Sequence, residues 1–194
     1  MLIKSPKLIL IASFLLLSNV VFAQKDSIAF KIPTEGDKVV YNGTVTVANK
    51  NRVMLDTAAK AWLKSYFKYR NPATPADTQD TSAVFSQGLL EYKVKPGMVN
   101  IPFTCQITIR VTCRENNYTY RISDIYFRPK SEFLNAVGYE NSPDYLVKIG
   151  KRKHLGLGTS WNVTRGQIRE YLTKMDINIR ACIASLNQAM SAAQ

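Results

Sequence analysis

Residues 99–113 carry the clearest alternation of hydrophobic and polar positions in the chain. Apolar side chains occupy every second position, and Thr, Gln and Arg residues fall between them. A period of two is typical of a strand with one face on a core and the other in water. The pattern therefore predicts a strand with one buried face. Its apolar positions are Ile101, Phe103, Cys105, Ile107, Ile109, Val111 and Cys113, and its polar positions are Thr104, Gln106, Thr108, Arg110, Thr112 and Arg114.

The residues that follow predict a hairpin. Residues 115–117 (Glu-Asn-Asn) are typical of a short reversal, and residues 118–127 then return as the partner strand. Pro129 closes this second strand, because proline cannot continue a backbone ladder.

Two earlier segments also have the composition of strands. Residues 38–47 are rich in Val, Thr and Tyr and predict the first strand, with a bulge at Gly43. Residues 83–94 predict another strand, interrupted at Gly88. Pro96 and Gly97 then predict a turn.

An apolar stripe at steps of three and four residues predicts a helix between these strands. Asn51 is the expected N-cap, and Asp56 lies near the positive end of the helix dipole. Asn71 and Pro72 are expected to end the helix, and residues 71–81 are expected to form a loop. The stripe consists of Leu55, Ala58, Ala59, Trp62, Leu63, Tyr66 and Phe67, and a separate face, interpreted as solvated, carries Lys60, Lys64 and Lys68.

A second helix is predicted at the C-terminus, over residues 163–194. Thr164 and Gln167 have the spacing of a capping box. Residues 165–190 would span about 39 Å, more than one small sheet covers, so the helix could pack partly on a second chain. Its apolar seam repeats every seven residues and consists of Ile168, Leu172, Met175, Ile179, Cys182, Leu186 and Ala189.

The N-terminal residues predict export. Lys4 and Lys7 precede an uncharged apolar run, and Ala23 ends a cleavage pattern, so residues 1–23 are expected to be a removable signal peptide. The apolar run is shorter than the roughly 20 residues that cross a bilayer. No later stretch is long and apolar enough to span a membrane, so we expect no transmembrane segment after cleavage. The expected localisation is periplasmic or secreted.

The order of strand, helix, three strands and helix resembles a known exported family. The strand at residues 41–45 (Tyr-Asn-Gly-Thr-Val), the helix at residues 59–63 (Ala-Lys-Ala-Trp-Leu) and the strand at residues 118–122 carry the resemblance, which covers residues 37–130. The family is common in Bacteroidetes and is catalogued as domain of unknown function 4468, with a TATA-binding-protein-like (TBP-like) fold. The resemblance thus implies export in a Gram-negative bacterium. The resemblance implies an α+β domain with a curved antiparallel sheet of about four strands, backed by helices. It implies no activity, and the fold name does not imply DNA binding.

The remaining segments complete the expected organisation. Residues 24–36 are expected to be a flexible lead to the TBP-like domain at residues 37–130. Residues 131–162 contain several glycines and a basic run, and are expected to be an irregular basic linker with one short turn of helix at residues 131–136.

Net charge limits the choice of partners. Cleavage removes Lys4 and Lys7 and no acidic residue, so the net charge falls from +12 to +10. Such a surplus favours an anionic component of the envelope or an acidic protein, and export argues against nucleic acid. The densest positive cluster is the candidate anionic-ligand patch, flanked by Tyr145. The patch consists of Lys148, Lys151, Arg152, Lys153, His154 and Trp161. The alternative interpretation of this cluster is a solvated loop.

The sequence contains no motif for catalysis, a cofactor or a metal that stands above background. Cys105 and Cys113 on one strand would lie roughly 26 Å apart, too far for a disulfide. Each could pair with Cys182, or all three could be small buried side chains, which is the interpretation we favour. His154 is the single histidine. We therefore expect no cofactor and no metal site.

These observations favour a non-enzymatic binding or scaffolding module that acts through its sheet face or its basic loop. Two alternatives stay open. One is an enzyme that uses Cys182 or Cys113 as nucleophile and His154 as base. The other is an assembly protein that forms homo-oligomers through the helix seam at residues 168–189.

Overall fold

The computed structural model of the chain describes residues 31–67, 83–95, 100–129, 142–151 and 164–193. The predicted signal peptide, the loop at 71–81, the turn at 96–97, the helical turn at 131–136 and most of the predicted linker lie outside these residues. In chain order, the elements are β1 (Thr34–Glu35), β2 (Lys38–Val39), β3 (Tyr41–Thr46), α1 (Arg52–Tyr66), β4 (Ala83–Val94), β5 (Ile101–Arg114), β6 (Asn117–Pro129), α2 (Pro143–Gly150) and α3 (Arg165–Ser191).

Strands β3 to β6 form one antiparallel sheet in the order β3-β6-β5-β4. This confirms the predicted α+β class. The interruption predicted at Gly88 is wrong, because Gly88 pairs in register with Ile107 and β4 runs unbroken. The glycine is there for a different reason. A Cβ at this position would overlap the aromatic ring of Phe67, which lies directly against the strand.

The bulge predicted at Gly43 is also wrong. Gly43 pairs regularly with Tyr120, and a Cβ on it would lie 2.6 Å from the Tyr120 hydroxyl. The irregularity is instead in β6, opposite the step from Gln106 to Thr108 of β5. Asp124 lies there with a φ of 49°, a conformation that Asp tolerates better than most residues. The extra residue keeps the apolar residues on both sides of the bulge on the core face.

The core lies between one face of the sheet and the two longer helices. The odd-numbered residues of β5 from Phe103 to Cys113 are buried, as the alternation predicts. The seam of helix α3 packs against β4 of this sheet and against helices α1 and α2. Its last buried seam residue is Met190 rather than Ala189, because a straight helix drifts from a strict seven-residue repeat. The seam residues are therefore covered within the single chain, which argues against a homo-oligomer formed through them.

Helix α1 begins as predicted and ends earlier than predicted. The Asn51 side chain accepts a hydrogen bond from the backbone N–H of Met54 at 2.9 Å. The helix stops at Tyr66 because Phe67 adopts an extended backbone, with φ −99° and ψ 114°. That change of direction brings the Phe67 ring over Gly88. Asn71 and Pro72, the predicted end, lie outside the described residues.

Two regions predicted to be irregular contain regular structure. Helix α2 begins after Ser142, whose hydroxyl accepts from the backbone N–H of Asp144, and Pro143 occupies the first turn, where proline is favoured. Residues 34–36 of the expected flexible lead belong to the β1–β2 hairpin. Its turn contains Gly36 at a φ of 58°. The signal for this hairpin was the Gly-Asp pair between the two short strands.

Candidate anion-binding site

The face of the sheet that α1 and α3 do not cover is polar. Because side chains alternate along a strand, residues paired across the sheet line up in rows on this face. The first row runs Asn42, Arg121, Arg110 and Phe85 across the four strands. The next row runs Thr44, Thr119, Thr112 and Ala83, and a third contains Thr46, Asn117 and Arg114.

Residues from each of the three rows line an open groove of about 570 Å³. That volume lies in the range of ordinary small-ligand sites. Its walls combine hydroxyl donors with arginines from two neighbouring strands, β5 and β6. The lining residues are Asn42, Gly43, Thr44, Arg110, Thr112, Arg114, Thr119, Tyr120 and Arg121.

A carboxylate is held at one end of this groove. Glu35, on β1, accepts hydrogen bonds from both terminal nitrogens of Arg121, at 2.9 and 2.6 Å, and one from the Asn42 amide, at 2.5 Å. The hydrogen bond from Arg121 lowers the pKa of Glu35 below its ordinary value, and the same contact raises the pKa of Arg121. Three N–H donors from two strands thus converge on one carboxylate. We call Glu35, Arg121 and Asn42 together the Glu35 clamp.

Arg110 and Arg114 differ from Arg121 in having no acidic partner among the described residues. The guanidinium carbon of Arg110 lies 4.6 Å from the centre of the Phe85 ring, which fixes it by a cation–π contact. Its Nε is buried and has no hydrogen-bond partner within the described ranges. Arg114, four residues along β5, is exposed. The groove therefore carries two positive charges that no carboxylate of the described chain neutralises.

A smaller cavity of about 140 Å³ lies beside the bulge, where β2 and α2 approach β6. Its lining contains both signs of charge, from Lys38 and Arg121 and from Asp124 and Asp144. The Asp144 carboxylate already has a hydrogen-bond partner, because it accepts a hydrogen bond from the backbone N–H of Val39 at 2.7 Å. This contact ties the β1–β2 hairpin to helix α2.

The predicted anionic-ligand patch is described only in part. Lys148 lies in the last turn of α2 and Lys151 directly follows the helix, and both are exposed. Neither lines the groove. Arg152, Lys153, His154 and Trp161 lie outside the described residues, so this patch stays a prediction.

The three cysteines are free and buried, as the favoured interpretation proposes. Burial raises the pKa of Cys105 and Cys182 to about 12 and that of Cys113 to about 11. Burial therefore disfavours the thiolate form of Cys182 and Cys113. His154, the base of the enzyme alternative, lies outside the described residues, so that alternative stays a prediction. The described residues contain no group of three or more His, Cys, Asp or Glu side chains that could hold a metal ion. Among the described helices, none has a stretch long and apolar enough to cross a bilayer.

Solved structures share this architecture. A TBP-like protein from Parabacteroides distasonis superposes with a TM-score of 0.60 over 84% of this chain and 99% of its own, at 17% identity. The chain has the TBP-like fold. A DUF4468 family protein from Bacteroides ovatus superposes with a TM-score of 0.57 over 87% of this chain and 97% of its own, at 11% identity. Both neighbours agree with the resemblance seen in the strand and helix motifs. No family model and no curated protein matches the sequence.

The sequence pattern predicts a role for the sheet face but does not identify the residues of the groove as a site. The alternation places Arg110, Thr112 and Arg114 on the water-facing side of their strand, and the basic run after α2 is the denser cluster of positive charge. A usable signal was present. Arginine recurs at polar positions of both strands of the predicted hairpin, at residues 110, 114 and 121. Pairing these strands brings such positions onto one face.

Proposed function

We propose that this protein is a non-enzymatic envelope module that binds an anionic partner on the open face of its TBP-like sheet. The observation that carries the proposal is the pair of arginines on β5, which face a groove lined by threonine hydroxyls. Four residues along a strand correspond to about 13 Å, so the two guanidinium groups offer separate anchor points. Guanidinium groups make strong charge-assisted hydrogen bonds to carboxylate and phosphate.

The solved neighbours share the fold alone, and a shared fold does not assign a function, so the proposal rests on the groove. The envelope location rests on the predicted signal peptide at residues 1–23. N-terminal sequencing of the protein recovered from the periplasm or medium of its host is the test of that location. Recovery of a chain that still begins at Met1 would contradict it.

The test of the groove is the double variant R110Q/R114Q. Binding is measured by calorimetry for three anionic probes: a glutamate-rich peptide, polygalacturonate, and vesicles containing phosphatidylglycerol. We expect the native chain to bind at least one probe, with an affinity that falls as salt is raised. Because a hydrogen bond to a charged group contributes about 1.5–3 kcal/mol, we expect the variant to bind at least roughly tenfold more weakly.

The matched control is K64Q/R169Q. It removes the same two charges from exposed positions on α1 and α3, on the other side of the sheet. An equal loss in both double variants would mean that net charge alone attracts the probe, and it would contradict a groove-specific site. Unchanged binding in R110Q/R114Q would contradict it as well.

The basic patch after α2 is the alternative surface for the same role. Lys148 and Lys151 are exposed and lie close together in the sequence, at the end of α2. Changing Lys151, Arg152 and Lys153 to Gln in the same assay separates the two surfaces. A loss in this variant, with R110Q/R114Q unaffected, would assign binding to the patch.

A further inference from the structure

The Glu35 clamp shows which chemical group the groove accepts. The planar guanidinium of Arg121 meets the planar carboxylate with two parallel hydrogen bonds, and Asn42 supplies a third donor from the next strand. Two parallel N–H groups match the two oxygens of a carboxylate. The site is therefore built for a carboxylate, and a residue of the chain itself occupies it.

The position of Glu35 makes this occupant exchangeable. Glu35 lies on β1, a strand of two residues that are both exposed, and its pairing with β2 involves two residue pairs. The side chains of Arg121 and Glu35 keep 45% and 44% of their surface exposed. Exposed ion pairs of this kind are weak, because water and salt compete for both groups. A ligand carboxylate can reach Arg121 without opening the core.

Arg110 extends the carboxylate site towards the centre of the sheet. It is paired directly across from Arg121, so the two side chains begin about 5 Å apart. Arg121 is already neutralised, whereas Arg110 has an unpartnered Nε among the described residues. An acidic chain that displaced Glu35 and continued across the sheet would therefore meet a second guanidinium on the neighbouring strand, held against Phe85.

We infer that the groove binds an acidic peptide segment in an extended conformation, and that Glu35 is a built-in competitor for its first carboxylate. This inference rests on the proposed function and names its ligand class. A peptide is favoured over an acidic polysaccharide because the observed occupant is a glutamate side chain presented by a strand. The Glu35 carboxylate occupies Arg121 until a ligand that offers several carboxylates, or that is present at a high enough concentration, replaces it.

The test is the variant E35Q, with binding of a fluorescent glutamate-rich peptide measured by anisotropy. We expect binding about two- to fivefold tighter than in the native chain, the range that corresponds to an exposed ion pair that no longer has to be displaced. The control is D37N, which removes the same charge from the same hairpin at an exposed residue that lies outside the clamp. It should leave binding close to that of the native chain.

The outcomes separate this inference from the proposed function. Equal affinities for E35Q and D37N, together with weakened binding in R110Q/R114Q, would overturn the competitor role of Glu35. That result would still agree with anion binding in the groove. An equal gain for polygalacturonate or for vesicles in E35Q would overturn the choice of a peptide. If neither the native chain nor E35Q bound any anionic probe, both proposals would fail. Adding R121Q to E35Q should abolish the gain, because the receiving guanidinium is then absent.

Discussion

At Gly88, the absence of a side chain is what lets α1 end against the sheet. Phe67 turns out of the helix, and its ring occupies the space in which a Cβ at residue 88 would lie. The ring is 3% exposed and stacks edge-on with Trp62, at a centroid distance of 5.8 Å. A buried aromatic ring packed on two sides has little freedom to move away.

We therefore expect Gly88→Ala to lower the free energy of unfolding by about 1–3 kcal/mol, the usual effect of overpacking a core. Urea denaturation measures it. The control is Gly166→Ala on the exposed first turn of α3, where the new Cβ meets only the Thr164 Oγ1, at 3.8 Å. That change should be neutral or stabilising by up to about 1 kcal/mol. Equal effects at the two glycines would contradict the role of Phe67.

Burial also raises the pKa of the thiol and phenol groups in the core. Burial raises the pKa of Tyr66 to about 12, and a neighbouring Cys182 acts in the same direction. The hydroxyl of Tyr41 is also buried and donates to Asp176 at 2.9 Å, so that its pKa is raised above its ordinary range. Such groups stay neutral at physiological pH, and both rings pack in or against the hydrophobic core.

At the scale of elements, polar contacts set the position of α3 on the core. The Trp62 indole donates to Ser185 at 3.0 Å, and the Tyr118 hydroxyl donates to Asn187 at 2.6 Å. A shift of the helix by one residue would break these bonds and turn the apolar seam. Burial of the apolar seam stabilises the packing of α3, and the hydrogen bonds select one position of the helix along the core.

The start of α3 is specified locally. The Thr164 hydroxyl accepts from the Gln167 backbone N–H, and the Gln167 side chain accepts from the Thr164 backbone N–H at 2.8 Å. This confirms the capping box predicted from the spacing of the two residues. The first turn of a helix leaves backbone donors without partners, and the box satisfies two of them.

We expect Thr164→Ala to lower the free energy of unfolding by about 1 kcal/mol, because it removes this cap. Thermal or urea unfolding followed by circular dichroism provides the measurement. Thr173→Ala, at an exposed position inside the same helix, is the control and should be neutral or slightly stabilising. The capping role would be contradicted if the two threonine variants lost stability to the same extent.

At the scale of the whole molecule, one chain accounts for the burial of the α3 seam. Ile179 is 0% exposed within the single chain, and Ile177, on the outer side of the helix, is 53% exposed. The long helix that suggested a second chain is accommodated by the sheet, α1 and α2 together. The structure thus argues against assembly through residues 168–189, and leaves the outer face of α3 towards water.

The matched pair Ile179→Ala and Ile177→Ala tests this arrangement. We expect Ile179→Ala to lower the free energy of unfolding by about 2–5 kcal/mol, and Ile177→Ala to change it by about 0.5 kcal/mol or less. Light scattering on both variants and on the native chain should give the same molar mass. A native oligomer that dissociates in Ile179→Ala, with the fold retained, would restore the assembly hypothesis.

The sequence by itself determined the elements whose signal is local. The alternation in β5, the stripe of α1 and the cap of α3 each follow from a period or a spacing that reports one buried face. It missed α2, although Ser142 and Pro143 mark its start, because several glycines and a basic run dominate that region. The sequence also did not show why Gly43 and Gly88 are glycines. The rings that exclude a Cβ there come from Tyr120 and Phe67, which are distant in the chain.

Only the tertiary structure decided the candidate site. Glu35 and Arg121 are separated by 86 positions in the chain, and the β1–β2 hairpin brings them together. Strand register in the larger sheet aligns Asn42 with Arg121 and Arg121 with Arg110. A register is a property of paired strands, and a slip of one residue would move these side chains to the other face. The bulge at Asp124 keeps both halves of β6 in phase with the core. Periodicity predicts which face of a strand is polar, but only pairing determines which charges on that face become neighbours.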